Sequence, residues 1–167
     1  MSMTKVFLKM VLVAAVLAFA GCGDQAQKDA ASFKEGMDAF SKGDHAVALE
    51  KFKPLAEGGN VEAQYGLGLV YSRGQGVAKD DREAGAWFSK AAEQGHVEAQ
   101  QNLALSYAKG LGVERNWVQA DKWFIIASAS GKETAANNRK VIEVHMPPEQ
   151  IAEADALAQE WLAKHKK

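Results

Sequence analysis

Apolar residues recur at every third or fourth position along most of this chain, which is the spacing of amphipathic helices. Within residues 32–59, Phe33, Met37 and Phe40 form one stripe, and a second stripe runs through residues 45–55 after a glycine turn. The pattern predicts a short helix pair at the start of the folded region.

The same pattern of apolar and polar residues occurs twice between residues 60 and 131, at an offset of 36 positions. In each copy, an Ala-x3-Leu-x3-Tyr stripe predicts a first helix, a Gly-x-Gly-Val loop follows, and a stripe containing Trp-Phe predicts a second helix. We expect the second helices to be capped by Asp80 and Asn116. A period between about 20 and 50 residues is typical of a solenoid, whose units bury their apolar faces against their neighbours.

The last segment, residues 132–167, departs from the repeat. Residues 133–144 have the spacing of another first helix, and Pro148 suits the first turn of a closing helix whose apolar stripe ends near Trp161. The sequence therefore predicts an all-α protein, a right-handed α/α solenoid of helix pairs closed by a C-terminal capping helix. Its predicted units are 32–59, 60–95, 96–131 and 132–167.

The N-terminus has a different pattern. Lys5 and Lys9 precede 11 consecutive apolar residues that end at Ala20. This run is shorter than the roughly 20 residues that cross a bilayer, but it fits the core of a secretory signal. We expect residues 1–21 to be a signal peptide and residues 22–31 to be a polar tether. Cys22 is the only cysteine, which excludes an intramolecular disulfide.

Charge and motif content give no support to catalysis or nucleic-acid binding. The formal net charge is −1, and removal of residues 1–21 would take away two lysines and make it −3. The four histidines form no zinc motif, no nucleophile elbow occurs, and the Gly-x-Gly segments lack a phosphate-loop lysine. We expect no cofactor, no metal and no enzyme activity; the repeats favour binding.

Two resemblances sharpen this interpretation. Residues 20–22, Ala-Gly-Cys, resemble the lipobox of bacterial lipoproteins, which implies a lipid on Cys22, and the absence of an aspartate at position 23 favours the outer membrane. The repeats resemble the Sel-one-like repeat family, a relative of the tetratricopeptide repeat. The residues that carry this second resemblance are Ala63, Leu67-Gly68, Tyr71, Gly74-Gln75-Gly76-Val77, Asp80, Ala84, Trp87-Phe88, Lys90-Ala91-Ala92 and Gly95, most of which recur 36 positions later.

The family resemblance implies a lipid-anchored, periplasmic adaptor or scaffold that binds another protein. Two alternatives stay open, an immunity-type inhibitor of a secreted toxin enzyme and, less favoured, an envelope hydrolase. The first helices of related superhelices line a concave groove, which Phe33, Met37 and Phe40 would extend. The groove residues predicted on this basis are Glu62, Tyr65, Leu69, Arg73, Glu98, Gln101, Leu105 and Lys109.

Alternative roles stay open at some of these positions. Tyr65, Leu69 and Leu105 are apolar or aromatic where solvation alone favours polar residues, and they could instead pack against neighbouring helices. Trp117 follows the cap Asn116 and could be either a packing residue or an exposed contact for a partner.

Overall fold

A computed structural model describes residues 24–165, and all the regular secondary structure in that range is helical. The predicted signal peptide and Cys22 lie outside the described residues. Residues 24–31, the described part of the predicted tether, are helical and continue into the first helix. The eight helices are α1 (24–41), α2 (His45–Glu57), α3 (Val61–Arg73), α4 (Asp81–Glu93), α5 (Val97–Lys109), α6 (Trp117–Ala129), α7 (Glu133–Glu143) and α8 (Pro148–Lys164).

Side-chain caps fix where most of these helices begin. Asp80 accepts hydrogen bonds from the amides of Arg82 and Glu83, and Asn116 accepts one from Gln119, so both predicted caps are confirmed. Pro148 occupies the first turn of α8, also as predicted. A side-chain acceptor at this position satisfies an amide that has no partner within the helix.

The two Gly-x-Gly-Val loops join each first helix to its second helix by the same route. Their second glycines, Gly76 and Gly112, have φ values of +80° and +70°, which other residues rarely adopt. Each lies against the start of the second helix of the preceding pair: Gly76 against His45, and Gly112 against the backbone of Asp81. The loops therefore set how closely successive pairs approach.

Successive helices pack in order from α2 to α6, and α7 and α8 then both pack against α6. The last two helices thus cover α6 from two sides, whereas the preceding helices form consecutive hairpins. Trp161 of α8 packs edge-on to Trp123 of α6, with ring centroids 5.8 Å apart, and donates a hydrogen bond from Nε1 to Glu93 of α4. The predicted closing helix is therefore attached to both second helices of the central repeats.

The core runs along the interior in two clusters. One is centred on Phe52 and includes Trp87, and the other is centred on Phe124 and includes Trp123. Burying a side chain such as Phe52 stabilises the fold by about 1.5–3 kcal/mol. The prediction that Trp87 and Trp123 are core residues is confirmed, since their exposed fractions are 9% and 2%.

Candidate protein-binding groove

Neighbouring first helices face one another across two adjoining clefts. The clefts share Leu69 as a common wall, and each has a phenylalanine from a second helix in its lining. The first, which we call the aromatic cleft, has a volume of about 190 Å³ and is lined by Phe33, Met37, Phe40, Phe52, Glu62, Tyr65, Gly66 and Leu69. The second, the polar cleft, has a volume of about 230 Å³ and is lined by Leu69, Ser72, Arg73, Asp81, Ala84, Phe88, Asn102, Leu105, Ser106, Lys109 and Leu111.

The structure therefore brings together six of the eight predicted groove residues. Glu62, Tyr65 and Leu69 line the aromatic cleft, while Arg73, Leu105 and Lys109 join Leu69 in the polar cleft. The three residues expected to extend the groove, Phe33, Met37 and Phe40, all line the aromatic cleft.

Tyr65 forms a wall between the aromatic cleft and the next repeat. Its ring stacks on the imidazole of His96, with centroids 4.4 Å apart, and lies 6.0 Å from the ring of Phe88. The side chain is half-buried, and this burial raises the pKa of the Tyr65 hydroxyl. Both roles considered for Tyr65 are therefore present, because one part packs against a neighbour and another part faces the cleft.

The N-terminal ends of α3, α5 and α7 are joined by a chain of polar contacts, which we call the inter-repeat ridge. His96 caps α5 by accepting from the Ala99 amide at Nδ1, so its ring proton is on Nε2 and is donated to Glu62 at 3.1 Å. One repeat further on, Lys132 donates to Glu98 at 3.0 Å, which lowers the pKa of Glu98.

Glu98 and Gln101, the other two predicted groove residues, belong to this ridge. Glu98 pairs with Lys132, and Gln101 accepts a hydrogen bond from the Thr134 hydroxyl at 2.9 Å. Neither lines either cleft. Their described contacts connect α5 to α7.

The opposite edge of the groove is basic. Arg73 and Lys109 are the last residues of α3 and α5, and both side chains are exposed at the polar cleft. Among the described residues, neither makes an ion pair with a carboxylate. Asp81, the one carboxylate in the polar cleft, pairs with Lys79 at 3.0 Å.

A buried charge cluster between α6, α7 and α8 was not predicted. Asp121 is 0% exposed, and its Oδ1 accepts from Arg139 Nε at 3.0 Å. Arg139 also pairs with Glu143 at 2.8 Å and Asp155 at 2.9 Å. Burial raises the pKa of Asp121 to about 6, although the Arg139 guanidinium partly opposes this shift. One available signal was an aspartate within the apolar run that surrounds Trp123.

The described residues contain no cluster of three or more His, Cys, Asp or Glu side chains able to hold a metal ion. Across residues 24–165, no helix combines the length and apolarity that a bilayer crossing requires. Trp117, whose environment the sequence left open, is half-buried between Arg115 and His145.

Comparison with known proteins agrees with this architecture. Residues 61–96 and 97–132 each match the Sel1 repeat. No curated protein matches the chain. Among solved structures, the chain is similar to a protective antigen of uropathogenic Escherichia coli strains that displays an SLR fold, with 36% identity and a TM-score of 0.78. The match covers 82% of this chain and 30% of the antigen.

A second similar structure is a Sel1 repeat protein from Oxalobacter formigenes, with 29% identity, a TM-score of 0.64, and coverage of 77% of this chain and 55% of that protein. The chain thus spans only part of the length of both structures. Sel1 repeats mediate binding to other proteins, generally as non-catalytic scaffolds. The chain therefore contains two Sel1 repeats, and its helices stack as an α/α solenoid like those of the Sel1 and SLR repeat structures to which it is similar.

Proposed function

We propose that this protein is a lipid-anchored adaptor of the bacterial cell envelope that holds a partner protein in the groove between its first helices. The observation that carries the binding role is the pair of adjoining clefts, because the aromatic cleft exposes an apolar surface that includes Met37, which is 44% exposed. An exposed apolar cleft with charged side chains at its edge suits a segment of a partner protein.

The periplasmic location and the lipid anchor rest on the N-terminal sequence, where Cys22 follows an apolar run and two small residues. Metabolic labelling with an alkyne fatty acid tests the anchor directly. We expect the wild-type protein to carry the label and to sediment with outer membranes, and Cys22→Ser to lose the label. Labelling that persists in Cys22→Ser contradicts Cys22 as the attachment site, and absence of label on the wild type contradicts the anchor. Neither result bears on the groove.

Crosslinking in living cells followed by mass spectrometry tests the binding role. We expect a specific partner to be captured by the wild-type protein and lost in the double variant Tyr65→Ala/Leu69→Ala. A matched control is Val141→Ala/Val144→Ala, which truncates two exposed side chains, one in the last turn of α7 and one just after it, that line neither cleft.

The identity of the captured proteins separates the two biological roles. Several envelope-assembly proteins support the adaptor, whereas one dominant enzyme supports an immunity-type inhibitor. Capture that survives in a folded Tyr65→Ala/Leu69→Ala protein contradicts the groove. Circular dichroism of the purified variant establishes that it is folded.

A further inference from the structure

The two clefts of the groove differ in chemistry although they share Leu69. The aromatic cleft exposes almost only apolar surface, and its single charged lining residue, Glu62, accepts a hydrogen bond from His96. The polar cleft has Arg73 and Lys109 at its edge. The groove therefore has an apolar part and a cationic part in a fixed order along the repeats.

On the basis of the groove function proposed above, we infer that the partner is an amphipathic helical segment. It carries one bulky apolar residue for the aromatic cleft and acidic residues about two turns away for Arg73 and Lys109. Charge complementarity with Arg73 and Lys109 selects this partner chemistry.

The aromatic cleft has the size and lining for one large apolar side chain. Its volume of about 190 Å³ exceeds the roughly 150 Å³ of an apolar protein cavity that accommodates benzene. Phe33 and Phe40 form its α1 side, and Phe52 contacts both of them, with ring centroids 5.6 and 6.4 Å away. A side chain that enters the cleft meets aromatic surface on several sides, which favours Leu, Phe or Trp.

The polar cleft favours carboxylates over amines. Arg73 and Lys109 lie at helix C-termini, where their charges stabilise the helix dipoles and leave the guanidinium and ammonium groups accessible. The hydroxyls of Ser72 and Ser106 donate to backbone carbonyls of their own helices. Because Asp81 is neutralised by Lys79, the positive charge of the cleft is uncompensated among the described residues.

The distance between the clefts suits a helix. Tyr65 in the aromatic cleft and Arg73 in the polar cleft are eight residues apart on α3, which corresponds to a rise of about 12 Å along that helix. Seven residues of an α-helix rise about 10.5 Å. An apolar residue at position i and acidic residues from i+7 to i+11 would therefore reach the two clefts together.

Selection from a phage-displayed library of random 16-residue peptides on the immobilised full chain tests this inference. We compare the wild type with Arg73→Glu/Lys109→Glu, with Met37→Glu, and with Lys53→Glu/Arg82→Glu. The last pair reverses two exposed charges on the second helices α2 and α4 and serves as the matched control. Fluorescence anisotropy of the enriched peptides, made synthetically, gives dissociation constants for each variant.

We expect peptides enriched on the wild type to combine a bulky apolar residue with acidic residues seven to eleven positions away. Arg73→Glu/Lys109→Glu should weaken the binding of these peptides about tenfold, since it replaces two exposed ion pairs by repulsion, and it should enrich basic peptides instead. Met37→Glu should weaken the same peptides, and the control pair should not.

Other outcomes separate the two levels of the proposal. Peptides that need Met37 but ignore the reversal of Arg73 and Lys109 overturn the acidic partner and leave the groove function standing. Peptides whose affinity is unchanged by both Arg73→Glu/Lys109→Glu and Met37→Glu bind elsewhere on the protein. If no peptide is enriched, the groove holds no segment of this kind. Each of these two results contradicts the proposed groove function as well.

Discussion

The two central repeats, residues 60–95 and 96–131, have the same backbone but different connections to their neighbours. Each contains two helices of 13 residues, and the glycines that end α3 and α5 have φ values of 67° and 70°. Residues shared by the repeats build the hairpin, such as Ala63 and Ala99, which are both 0% exposed. Residues that differ adapt each hairpin to what lies beside it.

The clearest difference is at positions 85 and 121, which are equivalent. Gly85 lies beside Val113, whose Cγ1 would make an ordinary contact with a Cβ at this position, whereas Asp121 is a buried carboxylate that accepts a hydrogen bond from Arg139 of α7. The first repeat is followed by another repeat, whose loop lies there. The second is followed by the two closing helices, and a charge cluster marks that junction. The difference between positions 85 and 121 therefore reflects a difference in the elements that pack beside the two repeats.

The largest effect we expect comes from Gly112→Ala. Its positive φ disfavours a side chain, and a Cβ at this position would overlap the Asp81 backbone carbonyl. Backbone strain and overpacking together should lower the unfolding free energy by about 3–5 kcal/mol, measured by urea denaturation. Gly76→Ala should cost less, because its Cβ would lie 2.8–3.0 Å from the Cβ, C and O atoms of His45, a milder overlap than the one at Gly112.

Gly131→Ala is the matched control for that comparison. Gly131 also has a positive φ, 87°, but no neighbouring atom lies within 4 Å of the position of an added Cβ. Only the conformational cost of about 1–2 kcal/mol is expected. Equal losses at positions 112 and 131 would show that the contact between pairs contributes nothing.

The next largest effect concerns pH and Asp121. The raised pKa means that the folded state binds a proton more tightly than the unfolded state, so stability from this group is fully present below about pH 4. It is lost as pH rises through about 6. A shift from 3.8 to about 6 corresponds to up to about 3 kcal/mol.

Asp121→Asn removes this titration while it keeps an oxygen for Arg139. The unfolding free energy of the wild type minus that of Asp121→Asn should therefore decrease as the pH rises from 4 to 7. Two parallel curves would mean that Asp121 titrates at its ordinary pKa in the folded protein. The first repeat contributes no corresponding pH dependence, because its equivalent residue, Gly85, has no titratable side chain.

A smaller effect should separate Gly68 from its counterpart Ala104. A Cβ at Gly68 would overlap the ring of Phe88, which is buried in the core. Gly68→Ala should therefore destabilise by about 2 kcal/mol, although the same exchange usually stabilises a helix by about 1 kcal/mol. Ala104→Gly is the reciprocal test and should cost about 1 kcal/mol. A higher urea midpoint for Gly68→Ala than for the wild type would show that the ring of Phe88 leaves room for a Cβ at position 68.

The smallest effect we expect is an increase in the unfolding free energy. Gln64 and Gln100 both donate to a carbonyl of the preceding helix, but only Gln64 has its oxygen bonded, by Gln94 at 2.8 Å. Ser130 replaces Gln94 in the second repeat, with a similar backbone φ of −88° against −86°, and is too short to reach. The Gln100 oxygen is buried without a protein partner among the described residues.

Ser130→Gln should supply that missing donor. One hydrogen bond contributes about 0.5–1.5 kcal/mol, so the unfolding free energy should rise by that amount, and Gln94→Ser should lower it similarly. Calorimetric melting of the two variants and the wild type measures both changes. No gain in Ser130→Gln alongside a loss in Gln94→Ser would show that the two repeats differ here by more than this side chain.

The repeat pattern in the sequence predicted most of the residues that line the groove, but not all of them. Tyr65, Leu69 and Leu105 could be assigned to the first-helix face because that face is fixed by helical periodicity. Glu98 and Gln101 have the same periodicity, yet they contact Lys132 and Thr134. These contacts depend on how far apart successive first helices lie, which a one-dimensional spacing does not specify.

The sequence by itself determined the all-helical fold, the repeat, the caps Asp80 and Asn116 and most helix limits, because each depends on residues a few positions apart. The start of α1 is an exception, since the helix includes residues 24–31 of the predicted tether. Only the tertiary structure decided how the helices after the repeats pack. The placement of α7 and α8 against α6, the Asp121–Arg139 pair and the division of the groove into two clefts all join residues from separate helices. Long-range contacts of this kind depend on side-chain volume and charge meeting in three dimensions, which local periodicity does not record.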